Sequence, residues 1–131
     1  MVNPRARYAA DKQLLEKAVA TLQEALMQPQ NAFIRDAAIQ RFEYVFELSW
    51  KTMQAAGMLR GISSRSPKDA IRRAFELGWI EDPEPWFKAM DARNLTSHTY
   101  DESLAETVFA NAQEFPATVQ AFLTALQKKE P

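Results

Sequence analysis

Residues 32–56 constrain the fold more than any other stretch, because their apolar side chains recur along two rows at helical spacing. One row is Ile34, Ala38, Val45 and Leu48, and the other is Ile39, Phe42, Phe46 and Met53, with Trp50 beside it. Glu43, Glu47 and Lys51 form a polar ladder at i,i+4 spacing. A helix with so wide an apolar surface buries two faces, so it is either central in a bundle or packed against a second subunit.

Proline, glycine and capping residues divide the rest of the chain. A first helix is predicted over about residues 5–27, before Pro29, and Asn31 caps the second helix, which Gly57 is expected to end. No segment alternates at period two, and the residues that dominate the composition favour helices. These patterns predict an all-α protein.

Three further helices are predicted after a loop at residues 58–65. Ser66 and Pro67 start the third, Gly78 ends it, and its inner face is expected to carry Ile71, Ala74 and Phe75. Asp82 starts the fourth, and Thr99 or Asp101 precedes the last, which Pro116 is expected to kink or divide. We therefore predict one domain over residues 1–131, an up-and-down bundle of four to five helices.

The composition excludes several kinds of chemistry. The chain has no cysteine, one histidine and three glycines, so thiol catalysis, cysteine or multi-histidine metal sites, P-loops and dinucleotide fingerprints are excluded. We expect no metal and no cofactor. The formal net charge is −1, so the protein as a whole is not a basic nucleic-acid binder. No stretch reaches membrane-spanning length, so a cytoplasmic location is expected.

Residues 93–100 are mostly polar, although they lie at positions where a bundle helix would continue its apolar stripe. On a continuing helix, Asp91, Asn94 and His98 share one face, whereas Arg93 lies about 140° from His98. Arg93 and His98 can therefore reach one cleft only if the helix end deviates or a second copy contributes. The structural alternative is that Arg93 pairs with a nearby carboxylate and His98 stabilises a helix end.

A second polar feature is basic. The cluster consists of Arg60, Arg65, Lys68, Arg72 and Arg73. Such a patch can receive a phosphate or a nucleic-acid strand, and the alternative is a solvated helix face.

Three stretches carry a resemblance to a known family. RFEYVFELSWK (41–51), SPKDAIRRAFELGWI (66–80) and MDARNLTSHTYDE (90–102) resemble the nucleotidyltransferase substrate-binding family, a branch of the HEPN-type helical proteins. The resemblance covers residues 8–127. It implies a homodimeric helical bundle that holds a substrate for a small, separately encoded nucleotidyltransferase.

Related HEPN toxins carry an Arg-x4-His-x-Tyr signature and cleave RNA without a metal. The resemblance places this signature on Arg93, His98 and Tyr100, with Asn94 after the arginine. It also implies that Tyr100 can receive AMP from the partner. The chain departs from the toxins at Thr96 and Ser97, where they commonly have apolar residues, and this favours the substrate-binding branch.

Three functions follow, in this order. The first is a non-catalytic substrate-binding subunit of a minimal nucleotidyltransferase, with a nucleotide or RNA as possible ligand. The second is a metal-independent ribonuclease toxin that the same partner neutralises, with Arg93 and His98 as catalytic residues. General acid–base cleavage needs two proton-transferring groups, so one histidine per chain requires a dimer. The third is a helical interaction module without a ligand.

Overall fold

The structure, a computed structural model, describes residues 3–131. These residues form five α-helices and one short 3-10 turn, and they contain no strand. The helices are α1 (Pro4–Leu26), α2 (Ala32–Leu59), α3 (Pro67–Glu76), α4 (Glu84–Asn94) and α5 (Glu102–Lys128), and the 3-10 turn at Thr96–His98 lies between α4 and α5. The prediction of an all-α bundle is confirmed.

Side-chain caps start three of the helices where the sequence predicted them. The Asn31 side-chain oxygen accepts a hydrogen bond from the Ile34 backbone N–H at 2.9 Å, and the Ser66 hydroxyl accepts one from Asp69 at 3.1 Å. The Asp101 carboxylate accepts one from Ser103 at 3.0 Å. Each cap satisfies a backbone donor that the first turn of a helix leaves without a partner.

The predicted stop of α2 at Gly57 is wrong, because the helix continues to Leu59. The turn forms at Gly61, whose φ is +74°. The Ile62 N–H donates to the Gly57 carbonyl at 2.9 Å, and the Gly61 N–H donates to Met58 at 3.0 Å. This hydrogen-bond pattern requires a left-handed residue just after the cap, a position that glycine favours. A Cβ on Gly57 would lie only 3.2 Å from the Ile62 carbonyl oxygen.

One expectation about the later helices is wrong in part, and one of the two alternatives at Pro116 is excluded. Phe75 is 46% exposed, and the inner face of α3 is formed by Ala70, Ile71 and Ala74, because the helix presents this narrower stripe to the core. Pro116 does not divide the last helix, since α5 is continuous from Glu102 to Lys128. Pro116 is buried within it, where packing on the core supports the turn that lacks a backbone donor.

Helix α2 occupies the centre of the bundle and contacts the other four α-helices. The central position therefore accounts for its two apolar rows within one chain. Aromatic rings link α2, α4 and α5, with ring centroids 5.1 Å apart for Phe42 and Phe115 and 5.3 Å apart for Trp86 and Phe115. Both pairs have the edge-to-face geometry that aromatic rings prefer.

Contacts along α2 define the direction of its neighbours. Arg7 near the start of α1 bonds Gln54 near the end of α2, so these two helices are antiparallel. Arg35 at the start of α2 bonds Glu102 at the start of α5, and Arg60 after α2 bonds Glu130 after α5, so α2 and α5 are parallel. No helix within residues 3–131 is long and apolar enough to cross a membrane.

Candidate functional site

Residues 93–100 comprise the last two residues of α4 and the compact turn that leads towards α5, and we call this segment the motif turn. Helix α4 ends at Asn94, and the His98 N–H then donates to the Leu95 carbonyl at 2.9 Å. The Thr96 hydroxyl donates to the Arg93 carbonyl at 2.7 Å, a local bond that competes with further helix. The expectation that His98 continues one face of α4 with Asp91 and Asn94 is therefore wrong, because the helix ends before it reaches His98.

His98 and Tyr100 form an exposed pair at the end of the motif turn. The His98 Nδ1 atom and the Tyr100 hydroxyl are 3.3 Å apart, and the two rings meet edge-to-face. Tyr100 is 85% exposed. The imidazole and the phenol are thus both accessible to a ligand or a partner, and either can donate the hydrogen bond between them.

Arg93 contacts a different partner at the other end of the motif turn. Its guanidinium forms an ion pair with Glu47 of α2, and the second carboxylate oxygen of Glu47 accepts a hydrogen bond from the Trp50 indole at 3.1 Å. The Arg93 side chain is 38% exposed. The pairing of Arg93 with a carboxylate, the structural alternative from the sequence, is confirmed.

The structure does not join the two catalytic candidates. Within residues 3–131, Arg93 bonds Glu47 and His98 bonds Tyr100, and no hydrogen bond links Arg93 to His98. The Arg93 Nε atom is buried, and among the described residues it has no hydrogen-bond partner. A single chain therefore presents two separate polar units, one on each side of the motif turn.

A charge cluster follows the motif turn, formed by the buried side chain of Arg35 and exposed carboxylates, and sequence reasoning missed it. Arg35 is only 9% exposed and bonds Glu106 at 2.9 Å and Glu102 through both of its terminal nitrogens. Asp36 lies 3.7 Å from its Nε atom. A usable signal was present, because Arg35 precedes Ala38 and Ile39 by three and four residues and so falls on an apolar face of α2.

Hydrogen bonding and charge attraction within this cluster stabilise the ionised forms. Hydrogen bonds from Arg35, together with its positive charge, lower the pKa of Glu102 below its ordinary value of 4.5. Hydrogen bonds to Glu102 and then to Glu106 raise the pKa of Arg35 further. Helix α2 therefore holds the motif turn on both sides, through Glu47 before it and Arg35 after it.

Within residues 3–131, neither Asp91 nor Asn94 forms a hydrogen bond with the exposed pair. Asp91 lines a groove of about 450 Å³ between α4 and α5, together with Lys88, Asn111 and Glu114. Asn94 is exposed at the last residue of α4. Among residues 3–131, no three His, Cys, Asp or Glu side chains are grouped to hold a metal ion.

The basic cluster is anchored at the far end of α5 from the motif turn. Arg60 donates to the Glu130 carbonyl at 3.2 Å, and Lys129 donates to the Leu77 carbonyl just after α3 at 2.7 Å. The 27 residues of α5 separate these contacts from the motif turn by roughly 40 Å along the helix axis. Arg73 is also paired within α3, at 3.2 Å from Glu76.

A known protein family matches nearly the whole chain. A sequence profile of the family described as "Nucleotidyltransferase substrate binding protein like" matches residues 10–128. The chain belongs to this family.

Solved structures agree with this assignment. A crystal structure of a Thermus thermophilus protein is 40% identical, with a TM-score of 0.80, over 86% of this chain and 98% of that one. A Haemophilus influenzae structure, described as revealing the fold of a substrate binding domain of a nucleotidyltransferase, is 32% identical, with a TM-score of 0.68. That match covers 95% of this chain and 99% of the other. The fold is that of a nucleotidyltransferase substrate-binding domain.

One curated relative has a different description. A Haemophilus influenzae protein described as "Probable ribonuclease HepT" is 42% identical over 83 residues, which is 60% of this chain. The chain spans 57% of the length of that relative. The relatives therefore include both a substrate-binding domain and a probable ribonuclease.

Proposed function

We propose that this protein is the substrate-binding subunit of a minimal nucleotidyltransferase encoded as a separate chain. The observation that carries the proposal is the match over residues 10–128, joined by a solved structure of the same fold with 99% of its length covered. The substrate binds at the motif turn, where His98 and Tyr100 are exposed and Arg93 is half-exposed. The two proteins act together in the cytoplasm.

The proposal includes a homodimer. Each chain has one histidine, so a site that places two imidazoles around one substrate, as the ribonuclease candidate requires, is formed only by two copies. Light scattering coupled to size-exclusion chromatography is expected to give twice the chain mass of 14.9 kDa for the isolated protein. A mass equal to one chain would contradict the homodimer.

Co-purification tests the partnership. The tagged chain is co-expressed with the nucleotidyltransferase encoded next to it, captured, and passed over a sizing column. The two proteins are expected to elute as one complex, whereas the tag alone captures no nucleotidyltransferase. Elution of the chain without the enzyme would contradict the proposal.

A metal-independent ribonuclease is the second candidate, favoured by the relative described as a probable ribonuclease. An imidazole can transfer the protons of RNA cleavage, and a guanidinium can stabilise charge on the phosphorus oxygens. The test is incubation of RNA with the purified protein in EDTA. Cleavage that is lost in His98→Ala would establish this candidate, and RNA left intact would remove it.

Modification of Tyr100 is a separate part of the second candidate. If the partner neutralises the chain with AMP, the phenol oxygen bonds to the α-phosphorus of ATP, its proton is lost and pyrophosphate leaves. Incubation with the nucleotidyltransferase and ATP then adds AMP to the chain. Tyr100→Phe is expected to lose that adduct, because the phenol oxygen is the acceptor. An adduct that persists in this variant would place the modification elsewhere.

A further inference from the structure

The ion pair between Arg93 and Glu47 is partly exposed to solvent, and both oxygens of the Glu47 carboxylate have partners. One oxygen of Glu47 contacts the guanidinium and the other accepts the Trp50 indole N–H, while the Glu47 side chain itself is 28% exposed. The contact therefore lies at a surface that a solute can reach. It is also the only carboxylate pairing of Arg93 within residues 3–131.

A guanidinium recognises carboxylates and phosphates through the same planar fork of donors. The Glu47 carboxylate thus occupies the position at which a phosphate group would bind Arg93. We propose that Glu47 is an internal competitor at an anion site, and that a phosphate-bearing substrate displaces it from Arg93. This inference rests on the proposed substrate-binding function and adds to it the chemical class of the substrate.

Arg35 shows why Arg93 rather than any paired arginine is the candidate. Arg35 bonds two carboxylates, lies close to a third and is only 9% exposed. An incoming anion would therefore have to reach a buried guanidinium that several carboxylates already neutralise. Arg93 has a single carboxylate and a side chain that is 38% exposed. Displacing the single carboxylate of Arg93 costs less than displacing the several carboxylates that surround the buried guanidinium of Arg35.

Removal of the competing charge is the direct test. The isolated chain is titrated with inorganic pyrophosphate by calorimetry, in wild-type, Glu47→Gln and Glu43→Gln forms. Glu47→Gln is expected to bind pyrophosphate about tenfold more tightly, because a like charge beside the anion is removed. The control Glu43→Gln removes the same charge one turn earlier on α2, and its affinity is expected to stay within about twofold of wild type. Adding Arg93→Gln to Glu47→Gln is expected to abolish the gain.

The Trp50 indole supplies a readout in the unaltered chain. Displacement of Glu47 breaks its hydrogen bond to Trp50, so pyrophosphate is expected to move the Trp50 indole N–H signal in an NMR titration. Trp50→Phe assigns that signal among the three tryptophans. This measurement decides the question even if Glu47→Gln fails to fold.

Titrations with ATP and with a short RNA then identify the source of the phosphate. The ligand that binds more tightly to Glu47→Gln than to Glu43→Gln is the substrate class. The inference is overturned if Glu47→Gln gains no affinity for any of the three probes, if the gain survives Arg93→Gln, or if the Trp50 signal stays fixed at saturation. Co-purification with the nucleotidyltransferase tests the proposed function separately, so the two failures are distinguishable.

Discussion

Two arginine contacts hold the motif turn to α2, and they differ in burial. Glu102, directly after the turn, bonds Arg35, which is buried and has Glu106 as a further partner. Arg93, at the beginning of the turn, bonds the single carboxylate of Glu47 at a half-exposed position. The same pair of chemical groups therefore serves as a structural clamp where the guanidinium is buried and shared by several carboxylates, and as an anion site where the guanidinium is partly exposed and has one carboxylate partner.

The largest effect is expected from removing the buried cation. Arg35→Gln leaves Asp36, Glu102 and Glu106 facing one another without a compensating charge. We expect the melting temperature, followed by circular dichroism, to fall on the order of 5 °C or more. Arg72→Gln, at an exposed position of α3, is the matched control. A fall no larger than that of the control would end the distinction between the two contacts.

The next largest effect is expected in the pH dependence of stability, which distinguishes the Arg35 contact from the Arg93 contact. Because the pKa of Glu102 is lowered in the folded protein, its stabilisation is fully present above the unfolded value of 4.5 and is lost as pH falls through the folded value. Urea unfolding at neutral pH and at pH below 4.5 is expected to show this loss in the wild type. Arg35→Gln is expected to lose less over the same interval. An equal loss in both proteins would show that Arg35 does not cause it.

A smaller effect is expected at the half-exposed ion pair. A double-mutant cycle with Glu47→Gln and Arg93→Gln is expected to give a coupling free energy of about 0.5–1 kcal/mol, because solvent screens the charges. Urea unfolding of the four proteins measures it. A coupling of several kcal/mol would make this pair a second clamp and weaken its interpretation as an anion site.

The smallest effect on stability is expected within the motif turn itself. His98 and Tyr100 are exposed, so His98→Ala and Tyr100→Phe are each expected to change the free energy of unfolding by no more than about 0.5 kcal/mol. Urea unfolding curves check this. A larger loss would mean that the pair supports the turn rather than offering its groups to a ligand.

Local signals in the sequence predicted the helices well. The caps at Asn31, Ser66 and Asp101 depend on side chains that act within three residues, so they are visible in the sequence. The end of α2 was misplaced because Gly57 and Gly61 are both plausible stops, and only the path of Ile62 over Gly57 decides between them.

The candidate site was less predictable because its contacts join distant segments. Spacing along α2 assigned Glu47 to a polar ladder with Lys51, whereas the packing of α4 brings it against Arg93. The Arg35–Glu102 bond spans 67 positions, and no periodic pattern encodes such a pairing. The residues of the motif turn could therefore be predicted, but the carboxylates and cations that hold the turn could not.

The order of Glu47 and Arg93 along the chain has a consequence for biosynthesis. Translation proceeds from the N-terminus, so the carboxylate is added to the chain before the arginine. The guanidinium meets a carboxylate of its own chain as soon as α4 packs on α2. The anion site is thus formed already filled, and the folded protein does not offer an unpaired Arg93 to the polyanions that surround a ribosome.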